Sequence, residues 1–310
     1  MNNKKIVVTS RSFSAHPKLR EELLSLFPNT KFNDRGTIVG EKDLAKFLSG
    51  ADGAIVALDP IKLSLLNQCP DLKIISKFGV GMDNVDREAC KITGVAIGWT
   101  GGLNRRGVAE MALCYMIGLS RHIFFSARDL RGSNSWIKDG GQDLSSKTIG
   151  IIGVGYVGKE LIGLLRGFGC KILVNDIIDQ KDYYKENKLL ETDKEEIFKT
   201  ADIITVHTPL DSSTEKMFTE KVFSLMKQDS FLVNVARGGI VDQLALKKAL
   251  MGNDIAGAAI DVFEMEPCDD FEFLQLPNLY CTPHTGGSSE QSMLAMGRSA
   301  INHLKKYFGL

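Results

Sequence analysis

This sequence has no excess of charge: 38 lysine and arginine residues stand against 38 aspartate and glutamate. Without a basic field, nothing in the composition draws the chain to nucleic acid or to an anionic membrane. It also lacks a membrane-spanning run. The most apolar long stretch, 107–125, is broken by Glu110, Arg121 and His122, which suits a buried helix better than a span. A secretory signal is missing as well, since only Ile6-Val7-Val8 follows Met1-Asn2-Asn3-Lys4-Lys5 before polar residues return. The six cysteines, at 69, 90, 114, 170, 268 and 281, form no C-x-x-C pair and no metal-ligand spacing. Reduced cytoplasmic thiols are expected, and no metal site. Cys268 has no cation beside it in sequence to lower its pKa and reads as an ordinary loop thiol. There are no repeats, low-complexity tracts or charge blocks. At 310 residues the chain suits two domains rather than one core.

What the chain does have is a glycine fingerprint. Thr148-Ile149-Gly150-Ile151-Ile152 is an apolar, β-branched run that breaks directly into Gly153-Val154-Gly155-Tyr156-Val157-Gly158, a G-x-G-x-x-G. Leu161, Leu164, Leu165 and Phe168 then follow at helical spacing, and Gly169 stands where a left-handed C-terminal cap belongs. A second apolar run, 171–175, ends in Asp176, 18 residues past the last glycine. A glycine triplet alone also serves as a plain strand–helix turn. Strand, fingerprint, helix, strand and acid in this order point instead to a dinucleotide. Gly153 makes the turn, Gly155 admits the pyrophosphate, and Gly158 lets helix and strand pack closely. The helix start offers free N–H groups to phosphate, and Asp176 accepts from the ribose hydroxyls. A carboxylate there repels a 2′-phosphate, and Ile177-Ile178-Asp179 supplies no cation to receive one, so NAD is expected over NADP.

On either side of the fingerprint, apolar runs alternate with helical patterns. Strands are expected at 5–9, 54–57 and 72–76, with helices at 17–26, 42–48 and 61–67. Further strands are expected at 202–207, 230–236, 256–262 and 279–282, with helices near 195–199, 220–226 and 242–250. Such alternation means parallel sheets. One long helix near 105–128 would join two domains that face across a cleft. The last helix is signed by Ser288-Ser289-Glu290-Gln291, a capping-box pattern, followed by an apolar face at Leu294, Ile301, Leu304 and Phe308.

Ligands collect beyond the carboxyl ends of parallel strands, and three polar residues fall at such places. Arg237 follows the run 231–236 and precedes Gly238-Gly239, where a fixed cation can hold a carboxylate through two hydrogen bonds; a surface arginine in a loop would look the same. Glu266, just before Pro267, reads by itself as a solvated loop acid. His284, in Thr282-Pro283-His284-Thr285-Gly286-Gly287, is a candidate for proton transfer, although a lone histidine is more often structural. Together the three meet the needs of a nicotinamide dehydrogenase acting on a 2-oxo acid: a carboxylate anchor, a proton donor, and an acid that keeps the donor charged and oriented.

These segments resemble the D-isomer-specific 2-hydroxyacid dehydrogenases. Similar features are Gly79-Val80-Gly81-Met82-Asp83-Asn84-Val85-Asp86, Asn104 with Val108-Ala109-Glu110, the fingerprint, and Val206-His207-Thr208-Pro209-Leu210 with Thr214. Asn234 to Gly239, Asp261 to Pro267 and Thr282-Pro283-His284 look like the family's three catalytic segments. The resemblance implies an α/β chain of two doubly wound parallel-sheet domains. A Rossmann NAD-binding domain, 100–285, would be inserted into a flavodoxin-like substrate domain, 1–99 and 286–310, to which the last helix returns.

The resemblance also implies Arg237, Glu266 and His284 as catalytic residues. The cofactor would meet Gly153, Gly155, Tyr156, Val157, Gly158, Asp176, His207, Thr208, Pro209, Thr214, Val235, Ala236, Asp261, His284, Gly286, Gly287 and Val108. Asp261 would meet the nicotinamide carboxamide. Substrate would meet Lys77, Val80, Gly81, Asn104 and Arg237, the glycine loop offering N–H groups to a carboxylate. A homodimer through the helix after Asn104 is implied too. Within the family, 77–86 and 104–110 look most like 3-phosphoglycerate dehydrogenase, with Lys77, Arg105 and Arg106 as candidate phosphate cations. Asp59 would repel phosphate if it pointed inward, and the sequence given, ending at Leu310, carries no serine-binding regulatory extension. Glyoxylate or hydroxypyruvate reduction is the alternative, and an NAD(H)-sensing corepressor-like protein a further one.

Overall fold

Short β-branched runs become parallel strands in both halves of the chain. The computed structural model describes residues 3–36, 38 and 40–310. By its internal packing the chain divides into two units, Met1–Asn104 with Ser288–Leu310, and Arg105–Gly287. The joins fall at 104/105 and 287/288, beside the 99/100 and 285/286 expected from sequence.

The first unit holds five strands, β1 (Ile6–Val8), β2 (Thr30–Phe32), β3 (Gly53–Val56), β4 (Ile74–Lys77) and β5 (Ala96–Gly98). Their order is β2-β1-β3-β4-β5, all parallel, the flavodoxin-like arrangement. Side chains alternate between its two faces. Ile6 and Val8 join one core with Ile55 and Ile74, while Val7 joins the other with Ala54, Val56 and Ile75. Because both faces are covered, the central strands β1 and β3 read as unbroken apolar runs. The final helix, Glu290–Phe308, completes the first core: Met296, Ala300, Ile301 and Leu304 pack with Ile6, Leu19 and Leu23. A Cβ at Gly297 would sit 2.3 Å from Leu19, so glycine there sets the closeness of the two helices.

The second unit holds seven parallel strands: β6 (Thr148–Ile152), β7 (Lys171–Asn175), β8 (Leu190–Glu191), β9 (Ile203–Val206), β10 (Phe231–Asn234), β11 (Gly257–Ile260) and β12 (Leu279–Cys281). Their order is β12-β11-β10-β9-β6-β7-β8. The order reverses between β6 and β9, and that switch point lies at the end of the fingerprint strand.

Four sequence expectations need correction. The long helix is two, Arg105–Ser120 and Ile123–Ser133, bent by 63°. His122, at φ +52°, makes the break, and the chain turns back so tightly that a Cβ on Gly118 would lie 2.0 Å from the Phe124 ring. No single helix among the described residues is long and apolar enough to cross a membrane. At the last helix the cap is Ser289, whose hydroxyl accepts from Ser292 N at 3.3 Å, one residue beyond the expected Ser288. The helices expected at 61–67 and 220–226 are single turns, Leu63–Leu66 and Glu220–Phe223.

Candidate active site

The strand register brings the predicted segments of the second unit together. Ile152, Val206, Asn234, Ile260 and Cys281 are successive neighbours across β6, β9, β10, β11 and β12. The residue that follows each one is therefore on the same carboxyl edge: Gly153, His207, Val235, Asp261 and Thr282.

Each glycine of the fingerprint is explained by what surrounds it. Gly153 has φ +96°, and a Cβ there would come within 2.8 Å of the His207 carbonyl oxygen. At Gly158 a Cβ would lie 2.2 Å from the Gly153 oxygen, whereas at Gly155 nothing stands within 4 Å. The middle glycine thus opens on free space at the start of the helix Tyr156–Leu165, where N–H groups have no partner inside the helix. Asp176, past β7, accepts Val154 N at 2.6 Å and Ile178 N at 2.9 Å. Each carboxylate oxygen keeps a further lone pair for a ribose hydroxyl.

The loop after β9 closes over the same turn. Thr214 pins it, donating to Pro209 O at 2.8 Å and accepting from Asp211 N at 2.9 Å. His207 bonds Thr205 Oγ1 through Nε2 at 3.0 Å, and burial lowers its pKa to about 3, so the ring is neutral. His207 Nδ1 and Thr208 Oγ1 are enclosed with no hydrogen-bond partner. Orphaned polar atoms beside an open glycine turn fit a bound dinucleotide, the protein groups being left for the ligand to satisfy.

Arg237 follows β10. Its backbone carbonyl accepts Asn234 Nδ2 at 2.9 Å, and its Nη1 donates to Ala236 O at 2.7 Å. A Cβ on Gly238 would fall 1.9 Å from the Phe263 carbonyl, so the arginine turn packs directly on the segment that leads to Glu266. Glu266, whose bond to Pro267 is cis, accepts Phe263 N through Oε1 at 3.1 Å. Its other oxygen, Oε2, lies 2.7 Å from His284 Nδ1. Two residues 18 apart in sequence thus form one carboxylate–imidazole pair, which fixes the ring and leaves Nε2 as the second nitrogen.

Asp261 is buried and fully engaged. Oδ1 accepts from the Thr282 hydroxyl and from Thr285 N at 2.7 Å; Oδ2 accepts Gly286 N at 2.7 Å. Gly286 in turn lies against Val108 and Met111 of the helix Arg105–Ser120. Thr282 and Thr285 were unassigned by sequence reasoning; the only available signal was their closeness to His284. Tyr156 is exposed at the start of its helix, and Val157 packs against the core below.

The residues expected to meet substrate, apart from Arg237, belong to the first unit. Val80 follows Gly79, which has φ +143°, and its carbonyl accepts Trp99 Nε1 at 2.9 Å. Gly81 comes next in that loop, and Asn104 ends the unit's first segment. Lys77 is buried, with its ammonium donating to Ala57 O and Asn84 Oδ1. Asp59 is turned onto Thr9 Oγ1 and onto Ala57 N at 3.3 Å. Arg105 pairs with Glu160 at 3.3 Å, and Arg106 with Glu160 at 3.2 Å and Glu110 at 2.6 Å.

Residues 113–286 match the NAD-binding domain of the D-isomer specific 2-hydroxyacid dehydrogenases. The chain is 34% identical to glyoxylate reductase of Thermococcus litoralis, over 81% of its own length and 79% of that protein's. The chain belongs to this family. It is also 31% identical to D-3-phosphoglycerate dehydrogenase of Methanocaldococcus jannaschii over 93% of its length, although it spans only 56% of that enzyme. Among solved structures, D-lactate dehydrogenase of Aquifex aeolicus, complexed with NAD and lactic acid, matches with a TM-score of 0.85 at 25% identity, covering 99% of this chain and 96% of that one. Family membership makes the chain an NAD-dependent oxidoreductase, and the two parallel sheets are those of the family.

Proposed function

We propose that this protein interconverts a small, unphosphorylated 2-oxo acid and its D-2-hydroxy acid. The observation that carries the reading is the 2.7 Å pair between Glu266 and His284 on the carboxyl edge of the NAD-binding sheet. When bound, the nicotinamide cofactor would supply the hydride in reduction, as NADH, and accept it in oxidation, as NAD. Arg237 holds the substrate carboxylate and polarises the carbonyl. His284 gives the proton to the carbonyl oxygen as the hydride reaches carbon, while Glu266 orients the imidazole and stabilises its charged form. Glyoxylate and hydroxypyruvate are the first substrates to test, in keeping with the glyoxylate reductase relative. Lys77 supports this choice, since its ammonium is already committed to Ala57 O and Asn84 Oδ1, and both Arg105 and Arg106 are paired with glutamates. A second reading, oxidation of 3-phosphoglycerate, is favoured by likeness to the archaeal enzyme over 93% of the chain. By that same family likeness Val80, Gly81 and Asn104 take substrate contacts, and the residues 1–104 with 288–310 serve as the substrate domain.

His284→Gln should abolish turnover, by roughly a thousandfold or more, while NADH still binds as judged by fluorescence titration. Undiminished activity in the variant would remove His284 from its role. Assays with NADH should compare glyoxylate, hydroxypyruvate and phosphohydroxypyruvate, and a preference for the last above the others would favour the second reading.

The assembly we propose is a homodimer through the helix Ile123–Ser133 and the segment after it. No residue of that helix is buried in the single chain, and Trp136 and Ile137 are 75% and 74% exposed. Exposed apolar surface of this kind marks an interface. All six cysteines are free thiols, which supports a reducing, cytoplasmic setting.

A further inference from the structure

His284 has φ +53°, in the left-handed region that L-residues with a Cβ avoid. A residue keeps that conformation only when its surroundings over-determine it. Here the grip is visible. His284 N donates to Thr282 O at 3.0 Å, and the next two N–H groups, of Thr285 and Gly286, are both held at 2.7 Å by the Asp261 carboxylate. Asp261 is itself oriented by the Thr282 hydroxyl, and that hydroxyl bonds Tyr115 Oη.

The direction of these bonds follows from proton count. The Thr282 hydroxyl has one proton and gives it to the carboxylate, which only accepts. The Tyr115 hydroxyl must then be the donor to Thr282. Burial pushes the Tyr115 phenol well above its usual pKa, so it keeps its proton. Tyr115 is 2% exposed, in the helix Arg105–Ser120, and its ring is fixed by edge contacts to Phe124 at 6.3 Å and Tyr280 at 5.8 Å. A rigid phenol thus terminates a buried polar chain whose far end clamps the turn carrying the imidazole.

We infer that Tyr115 is a positioning residue for His284, acting through Thr282 and Asp261. The inference rests on the reading of His284 as the acid/base. Without the phenol proton, the Thr282 oxygen loses its donor, the carboxylate can turn, and the strained turn relaxes away from the geometry that Glu266 and substrate require. Small misplacement of a proton donor lowers the rate of the chemical step more than it weakens binding.

The test compares Tyr115→Phe, Thr282→Val and the double variant with wild type, using glyoxylate and hydroxypyruvate with NADH. Each single change should lower kcat about tenfold, with oxo-acid KM within about twofold and NADH affinity unchanged. The double variant should be no slower than the worse single, because both break one chain. Tyr280→Phe, which alters the same aromatic cluster outside that chain, should keep full turnover. Independently of activity, the nuclear magnetic resonance signals of the His284 ring, assigned by their loss in His284→Gln, should move in Tyr115→Phe. Full kcat with unmoved ring signals in Tyr115→Phe would overturn the inference, as would losses that multiply in the double variant. An active His284→Gln would instead overturn the reading beneath it, so the two failures are distinct.

Discussion

Asp176 illustrates how a single side chain can serve both fold and specificity. Its carboxylate ties the turn at Val154 N to the end of β7, and by the proposed reading it also receives the ribose hydroxyls of NAD. Asp176→Ala should raise the ratio of kcat/KM with NADPH to that with NADH by about tenfold or more, and weaken NADH because the turn loses its clamp. An unchanged ratio in steady-state assays would count against the assignment. At this scale the sequence was most legible where chemistry is local. Gly153, Gly158, Glu266 and His284 announce themselves by strand ends and adjacent glycine or proline. Long-range hydrogen bonding was not legible. Nothing in the sequence tells that Asp261 spends its oxygens on Thr282, Thr285 and Gly286, or that Lys77 spends its ammonium on Ala57 O, since the partners lie 20 or more residues away.

Elements were read best where burial on both faces imposed a signal. β1, β3, β6, β9 and β10 are apolar nearly throughout, whereas β2 and β8 form sheet edges and carry no such run. The bend at His122 escaped because Gly118 and Phe124 fit either a continuous helix or a folded one, and only tertiary packing decides. Capping is decided just as locally in space. Ser289→Ala should cost about 1 kcal/mol of stability, read from urea unfolding, while Ser288→Ala should cost much less. Equal losses would mean that the two hydroxyls share the helix start.

For the whole molecule, Ile123 and Leu130 of the helix Ile123–Ser133, with Trp136 and Ile137 after it, are apolar side chains that the single chain leaves exposed. Changing both Trp136 and Ile137 to Glu should convert a dimer to a monomer in sedimentation velocity, at little cost to the stability of each unit because both side chains are mostly in solvent. A wild-type protein that sediments as a monomer would exclude the proposed assembly. The two-unit division was partly legible: alternating strands and helices recur on both sides of the fingerprint, but the joins depend on where packing changes sides. The interleaving of the units also orders their making. On the ribosome, Ile6, Leu19 and Leu23 emerge before the unit Arg105–Gly287, yet the helix that covers them, Glu290–Phe308, is made after it. The dinucleotide-binding unit can therefore gain its core while the earlier-made portion still waits with one apolar flank open, and chaperone attention during synthesis should concentrate on that flank.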